Sequence, residues 1–234
     1  DVELSARVVF EKRNNYYFCF YVDKIMDINN ASFMHVYDSS FTSISSHLDS
    51  HEFGINTEQY MGPVLSATIG DFVFLSDSRF LFVPPIYNGS IYVYQSDENG
   101  NWTNTKVLND GLTIKPTIEE YSQNMNREPD AQVSLAGDAE PTKLMINNSS
   151  KGIYKTNSSS IIHFTTLYAE GEKRLFGFEK YNSSLEYEGY YVLIETLSSE
   201  SFNWDVVNKD DKDRFYIIDR TSDVLVRVIS IDDI

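Results

Sequence analysis

The chain of 234 residues has a single cysteine, Cys19. One thiol excludes an intrachain disulfide framework, a thiolate zinc site and any CxxC redox motif. Cations are scarce: 19 Lys and Arg stand against 35 Asp and Glu, a net charge of −16. That balance opposes nucleic acid as a partner, because neutralising phosphates takes clustered Lys and Arg. The deficit is local as well. Between Lys24 and Lys106 the only cation is Arg79, among Asp27, Asp38, Asp49, Glu52, Glu58, Asp71, Asp77, Asp97 and Glu98. Such a stretch repels polyanions and attracts cations or basic partners. No run approaches the ~20 apolar residues of a membrane span, so no membrane insertion is expected. No basic-then-apolar leader opens the chain, which starts at Asp1 and reads as a processed or excised product. Helical periodicity is nearly absent, the best case being one or two turns after Thr117, with Glu120 completing a capping box. Neither a Gly-x-Ser-x-Gly elbow nor a phosphate-binding glycine loop occurs.

What is present is aromatic and alternating. Sixteen Tyr and fifteen Phe argue against disorder, since such side chains bury enough surface to offset chain entropy. Phe80–Val83, Ser90–Tyr94, Phe215–Ile218 and Val224–Ile229 are short β-branched and aromatic runs. Asn88-Gly89, Asn99-Gly100, Asp110-Gly111 and Thr221–Asp223 punctuate them with hairpin chemistry. The period is two, and the class is all-β. A longer period groups the strands in fours. Tyr17–Val22, Lys24–Ile28, Phe33–Tyr37 and Ser43–His47 make one set; Phe72–Leu75, Arg79–Val83, Ser90–Gln95 and Thr103–Val107 make another. A third runs from Gly152 to Thr196, and Asp205 to Ile231 shows three strands. Four strands every 45–55 residues, roughly, is blade spacing. The expectation is a single β-propeller domain over 1–234, of about five four-stranded blades, within one. Ser5–Glu11 is expected to close the ring beside Val224–Ile229, and 112–150 is a poorly patterned blade or an insertion.

One stretch carries a resemblance. Leu75-Ser-Asp-Ser-Arg-Phe-Leu-Phe-Val-Pro-Pro85, Tyr87-Asn-Gly-Ser-Ile-Tyr-Val-Tyr94 and Asp97-Glu-Asn-Gly-Asn-Trp-Thr103 resemble one FG-GAP blade of integrin-α-type propellers. The sequence departs from that pattern at Val83-Pro84-Pro85, which lacks glycine, and at Gly70-Asp71-Phe72, which stands where Phe-Gly belongs. Asp213–Val228 resembles an NHL-type blade equally well. The FG-GAP resemblance implies a calcium loop in Asp205–Asp213, with Asn208, Asp210 and Asp213 as oxygen ligands and Asp205 a weaker candidate. Lys209 and Lys212 interrupt it.

Other constellations are weaker. His47, His51 and Glu52 lie close in sequence but read as a polar connection, without the order of a zinc protease. His35 and His163 sit inside strand patterns as core or face residues, and Cys19 as inert packing. Tyr87, Tyr92, Tyr94 and Trp102 are candidates for a recognition surface, because Tyr and Trp combine area with a polar tip. Asn-x-Ser/Thr sequons at Asn30, Asn88, Asn101, Asn147, Asn148, Asn157 and Asn182 are candidate glycosylation sites. With the missing disulfides they favour an extracellular or cell-surface location. Turn chemistry accounts for many of them, since Asn and Ser both favour turns.

The functional expectation is a non-enzymatic binding or adhesion module that grips protein or glycan, basic partners included, through loops at one end of a propeller. The alternatives are a glycosidase-like propeller enzyme, which would need two facing carboxylates, and a structural or matrix assembly protein.

Overall fold

The computed structural model describes residues 9–21, 32–49, 70–84, 87, 89–98, 101–109, 131–133, 142–144, 149–169, 173–197, 204–219 and 225–231. They form an all-β, β-propeller arrangement of four antiparallel sheets, each a run of consecutive strands. Sheet 1 contains β1 (Val9–Arg13), β2 (Tyr16–Phe20), β3 (Ser32–Tyr37) and β4 (Ser43–Asp49). Sheet 2 contains β5 (Asp71–Ser76), β6 (Arg79–Val83), β7 (Ser90–Ser96) and β8 (Trp102–Asn109). Two three-residue strands, β9 (Ala131–Val133) and β10 (Thr142–Leu144), pair with each other and with no other described strand. Sheet 3 contains β11 (Ser149–Lys155), β12 (Ile161–Ala169), β13 (Lys173–Tyr181) and β14 (Tyr187–Leu197). Sheet 4 has three strands, β15 (Trp204–Lys209), β16 (Arg214–Asp219) and β17 (Leu225–Ser230).

The four blades fall within the expected five, give or take one; among the described residues 112–150 supplies only the β9–β10 pair and the start of β11. One expectation changes. The N-terminal strand does not close the ring beside the last one. It pairs with the next strand, Val9 opposite Phe20 and Arg13 opposite Tyr16, and is the first strand of sheet 1. A two-residue connection between apolar runs favours a local hairpin over a distant pairing, since short loops cost little closure entropy. The expected strand Lys24–Ile28 and the proline-rich stretch before β9 lie outside the described residues.

The chain forms two compact units. One comprises 1–70, 76–79 and 95–103; the other comprises 71–75, 80–94 and 104–234. In the second unit, alternation along sheet 3 explains its packing. Ile161, Leu167, Leu175 and Tyr181 point one way, joining Leu81, Val83, Tyr87, Ile91, Val93 and Leu108 of sheet 2. Ile162, Phe164, Phe176 and Phe178 point the other way, joining Trp204, Phe215 and Ile217 of sheet 4. A sheet covered on both faces needs apolar residues at both parities, and that is why β12 and β13 read as nearly continuous apolar runs.

Four hairpin connections share one turn, and Asp97–Asn101 shares part of its bonding. In Asp38–Thr42 the Asp38 N–H donates to Thr42 O and the Phe41 N–H to Asp38 O, while Asp38 Oδ1 accepts from the N–H groups of Ser40 and Thr42. Asn182–Glu186 and Asp210–Arg214 repeat all four bonds. Thr156–Ser160 repeats both backbone bonds, and Asp97–Asn101 repeats the closing backbone bond and one side-chain bond. The fourth residue takes a left-handed conformation, with φ of 60° at Phe41, 66° at Ser159, 62° at Leu185 and 55° at Asp213. This is a type I turn followed by a left-handed residue, whose twist suits a hairpin.

Candidate functional site

In sheet 1, Tyr17 is opposite Lys12 on one side and Tyr37 on the other. Phe10 shares the face of Lys12 by the two-residue repeat. The turns β1–β2 and β3–β4 fall at the same end of the sheet, because Tyr17 and Tyr37 pair there. At that end the rings of Tyr17 and Phe41 stack, centroids 4.6 Å apart and 17° from parallel. The Lys12 ammonium lies 5.7 Å from the Tyr17 centroid. Phe41 is 60% exposed and Phe10 61% exposed. Asp38, Ser39, Ser40 and Thr42 flank Phe41 in the chain, and Asp38 Oδ1 accepts the Ser40 and Thr42 N–H groups. Behind this end, Tyr21 stacks on His35 and bonds Tyr37 through its hydroxyl at 2.9 Å, and His35 Nδ1 lies 3.0 Å from Ser46 Oγ.

Phe41 is the singular position. A bulky residue at positive φ is an outlier, costing on the order of 1–2 kcal/mol. Leu185, at the equivalent place, offsets that cost by burial at 5% exposure. Ser159 and Asp213 are polar. Phe41 alone of the four holds a large aromatic ring in water at this position.

The aromatic residues expected to form a recognition surface do not form one. Tyr87, Tyr92, Tyr94 and Trp102 are 0%, 9%, 2% and 9% exposed, so they are core. Tyr94 stacks on Phe80, and Trp102 meets Phe18 edge-on. Tyr92 and Tyr94 occupy β7, where residues of both parities are buried, Tyr87 lies in the connection before it, and Trp102 opens β8. Among the described residues the exposed aromatics are Phe10 on β1, Tyr16 on β2 and Phe41 in the β3–β4 turn.

The residues of the expected calcium loop do not fit the ion. Asp210 Oδ1 accepts the Lys212 and Arg214 N–H groups, and its Oδ2 pairs with the Arg214 guanidinium at 2.6 Å. Lys209 Nζ sits on Asp213 Oδ1, and Asp213 Oδ2 accepts the Asn157 N–H at 2.8 Å. Asp205 pairs with Lys151 at 3.2 Å, and Asn208 Oδ1 accepts the Lys209 N–H. Calcium needs six to eight oxygens turned toward it; here they are turned toward ammonium, guanidinium and backbone donors. Among the described residues no three His, Cys, Asp or Glu gather as for a metal. For Asp210, part-burial would raise the pKa. The Arg214 backbone and side-chain donors and the Lys212 N–H outweigh it and hold the carboxyl at about 2.

His47 lies on β4 with Nε2 2.8 Å from Ser45 Oγ, while His51 and Glu52 are outside the described residues. Of the sequons, Asn101, Asn157 and Asn182 are described; Asn157 and Asn182 lie in the shared turn, Asn101 in its partial copy. Their side-chain amides donate to Asp97 Oδ2, Asp211 O and Glu186 Oε2. Asn30, Asn88, Asn147 and Asn148 lie outside. Cys19 is buried, which pushes its thiol pKa up and leaves it unreactive.

A second polar group lies inside the other unit. Glu179 and His163, directly opposite on β13 and β12, have no exposed surface. Glu179 Oε1 accepts from Tyr87 OH at 2.6 Å; its Oε2 accepts from Tyr181 OH at 3.2 Å and faces His163 Nδ1 at 3.1 Å. Tyr190 lies nearby; burial first, then the Glu179 charge, pushes its pKa well up, against a hydrogen bond from Thr165. Ser150 Oγ, 3.0 Å from His163 Nε2, completes the row. Sequence reading placed His163 in a strand and missed its partners. The usable signal was an isolated Glu at a core-facing position of Leu175–Tyr181, opposite a His in an equally apolar strand.

No protein-family model matches the chain, so neither the FG-GAP nor the NHL resemblance gains support. No curated protein matches either. A solved α-L-arabinofuranosidase from Clostridium thermocellum is similar over 92% of this chain and 60% of its own, at 15% identity and a TM-score of 0.35. The chain thus spans about three fifths of that structure. A likeness at this level carries no argument about substrate. It is nonetheless a likeness to an enzyme, and the expectation that the chain is not an enzyme is withdrawn.

Proposed function

We propose that the chain is a carbohydrate-directed propeller that holds a neutral sugar on the Tyr17–Phe41 stack at the hairpin end of sheet 1. The single observation behind this is Phe41, a strained and solvent-facing ring stacked on Tyr17. Strain that burial does not offset points to a role in function. The outer face of Phe41, backed by the Tyr17 ring, presents a flat apolar surface to the C–H face of a pyranose. Hydroxyls and a carboxylate on the residues flanking Phe41 suit the equatorial hydroxyls of the sugar. The net charge of −16 disfavours anionic glycans.

Calorimetric titration with neutral oligosaccharides tests the reading. At least one is expected to bind, and Tyr17→Ala is expected to weaken that binding tenfold or more. Equal affinity in parent and variant would count against a site on this stack.

A further inference from the structure

In the second unit, three side chains stand in a row: Ser150 Oγ, 3.0 Å from His163 Nε2, and His163 Nδ1, 3.1 Å from Glu179 Oε2. Their order along the ring is chemically specific. A carboxylate only accepts, so Glu179 fixes the proton on Nδ1 and leaves the Nε2 lone pair toward the serine hydroxyl. Tyr87 and Tyr181 donate to the same carboxylate and hold it in place. Accessibility follows the same order. Ser150 is part-exposed on an edge strand, whereas His163 and Glu179 are buried.

The backbone at the serine is irregular. The β11–β12 register shifts between Ser150 and Gly152, and Gly152 has φ of 128°. A bulge of this kind re-aims a side chain. Here it leaves the Gly152 N–H 3.5 Å from Ser150 Oγ, beside any oxyanion formed there. The Tyr154 ring fills the space a Cβ on Gly152 would take, 2.7 Å from it.

We propose that Ser150, His163 and Glu179 form a nucleophilic site for carboxylic esters. Ser150 Oγ attacks the ester carbonyl as its proton passes to His163 Nε2. The tetrahedral adduct collapses, the C–O bond to the alcohol breaks, and the alcohol leaves with that proton. Water then attacks the acyl-serine, losing a proton to His163. The carboxylic acid departs and Ser150 regains its hydrogen. Ser150 is the nucleophile and His163 the base; Glu179 is a positioning residue. None of this depends on the sugar-holding face, whose residues are different.

A fluorophosphonate probe applied to the native protein, with peptide mass mapping, tests the site without any variant. Labelling at Ser150 is expected. Hydrolysis of p-nitrophenyl acetate is expected to fall at least 100-fold in Ser150→Ala at unchanged melting temperature. It is expected to fall several-fold in kcat, with KM held, in Tyr87→Phe. No labelling at Ser150, or parent-like hydrolysis by Ser150→Ala, would overturn the proposal and leave the row a structural link between strands.

Discussion

At Phe41 the backbone conformation suits glycine and the side chain gains nothing from burial. Phe41→Gly is therefore expected to stay within about 1 kcal/mol of the parent in stability, as relief of strain offsets the lost stacking. Chemical denaturation reads this directly, and a large loss would show that the ring supports the fold. Gly177 presents the opposite case. A Cβ there would lie 2.2 Å from the Tyr191 carbonyl oxygen and 2.9 Å from the Tyr190 ring. Gly177→Ala is expected to destabilise by roughly 1–3 kcal/mol, the range for overpacking, seen as a lower denaturation midpoint. Asp210 predicts a pH dependence. Its carboxyl is held at about 2 against an ordinary 3.8. The unfolded chain thus takes up the proton first, and the stabilisation, complete above about pH 4, is lost as pH falls through 2. Asp210→Asn keeps an oxygen for the turn but loses this titration. Its stability is expected to fall less steeply than the parent's between pH 4 and 2 in denaturation series.

Among the elements, strands were more legible than turns. β5 to β8, β16 and β17 lie within two residues of their sequence expectations, because apolar alternation bounded by turn residues is a strong local signal. The shared turn was not legible. Asp-Ser-Ser-Phe-Thr, Thr-Asn-Ser-Ser-Ser, Asn-Ser-Ser-Leu-Glu and Asp-Asp-Lys-Asp-Arg have only a capping oxygen at the first position in common. At Asp38, Asn182 and Asp210 the third and fifth N–H groups donate to that oxygen and are indifferent to the other side chains. The same geometry explains why an Asp-rich hairpin resembles a calcium loop and why sequons recur: Asx turns select Asn, Ser and Asp at these positions. β17 carries a separate consequence. Among the described residues it is the edge of a three-stranded sheet, with Leu225, Val226 and Val228 exposed. Such an edge templates aggregation. Val226→Lys with Val228→Lys is expected to raise the concentration at which the protein stays monodisperse by light scattering, with little change in melting temperature.

For the whole molecule, local pairing was readable and long-range closure was not. Period-two runs and four-strand spacing pointed to blades, and sheets 2, 3 and 4 stand where the sequence placed them. The N-terminal strand went to its sequence neighbour because nothing in a five-residue strand specifies a distant partner over a nearby one. The exposed and buried aromatics exchanged roles for a related reason. Alternation tells that two faces differ, but not whether a neighbouring sheet covers both. The functional claim rests on one strained ring, so one comparison tests it most directly: a neutral-glycan array probed with the parent and with Phe41→Gly, both first shown to melt at similar temperatures. Binding by the parent and a tenfold or greater loss in Phe41→Gly is the predicted result. Binding of equal strength by both proteins, or by neither, would contradict it.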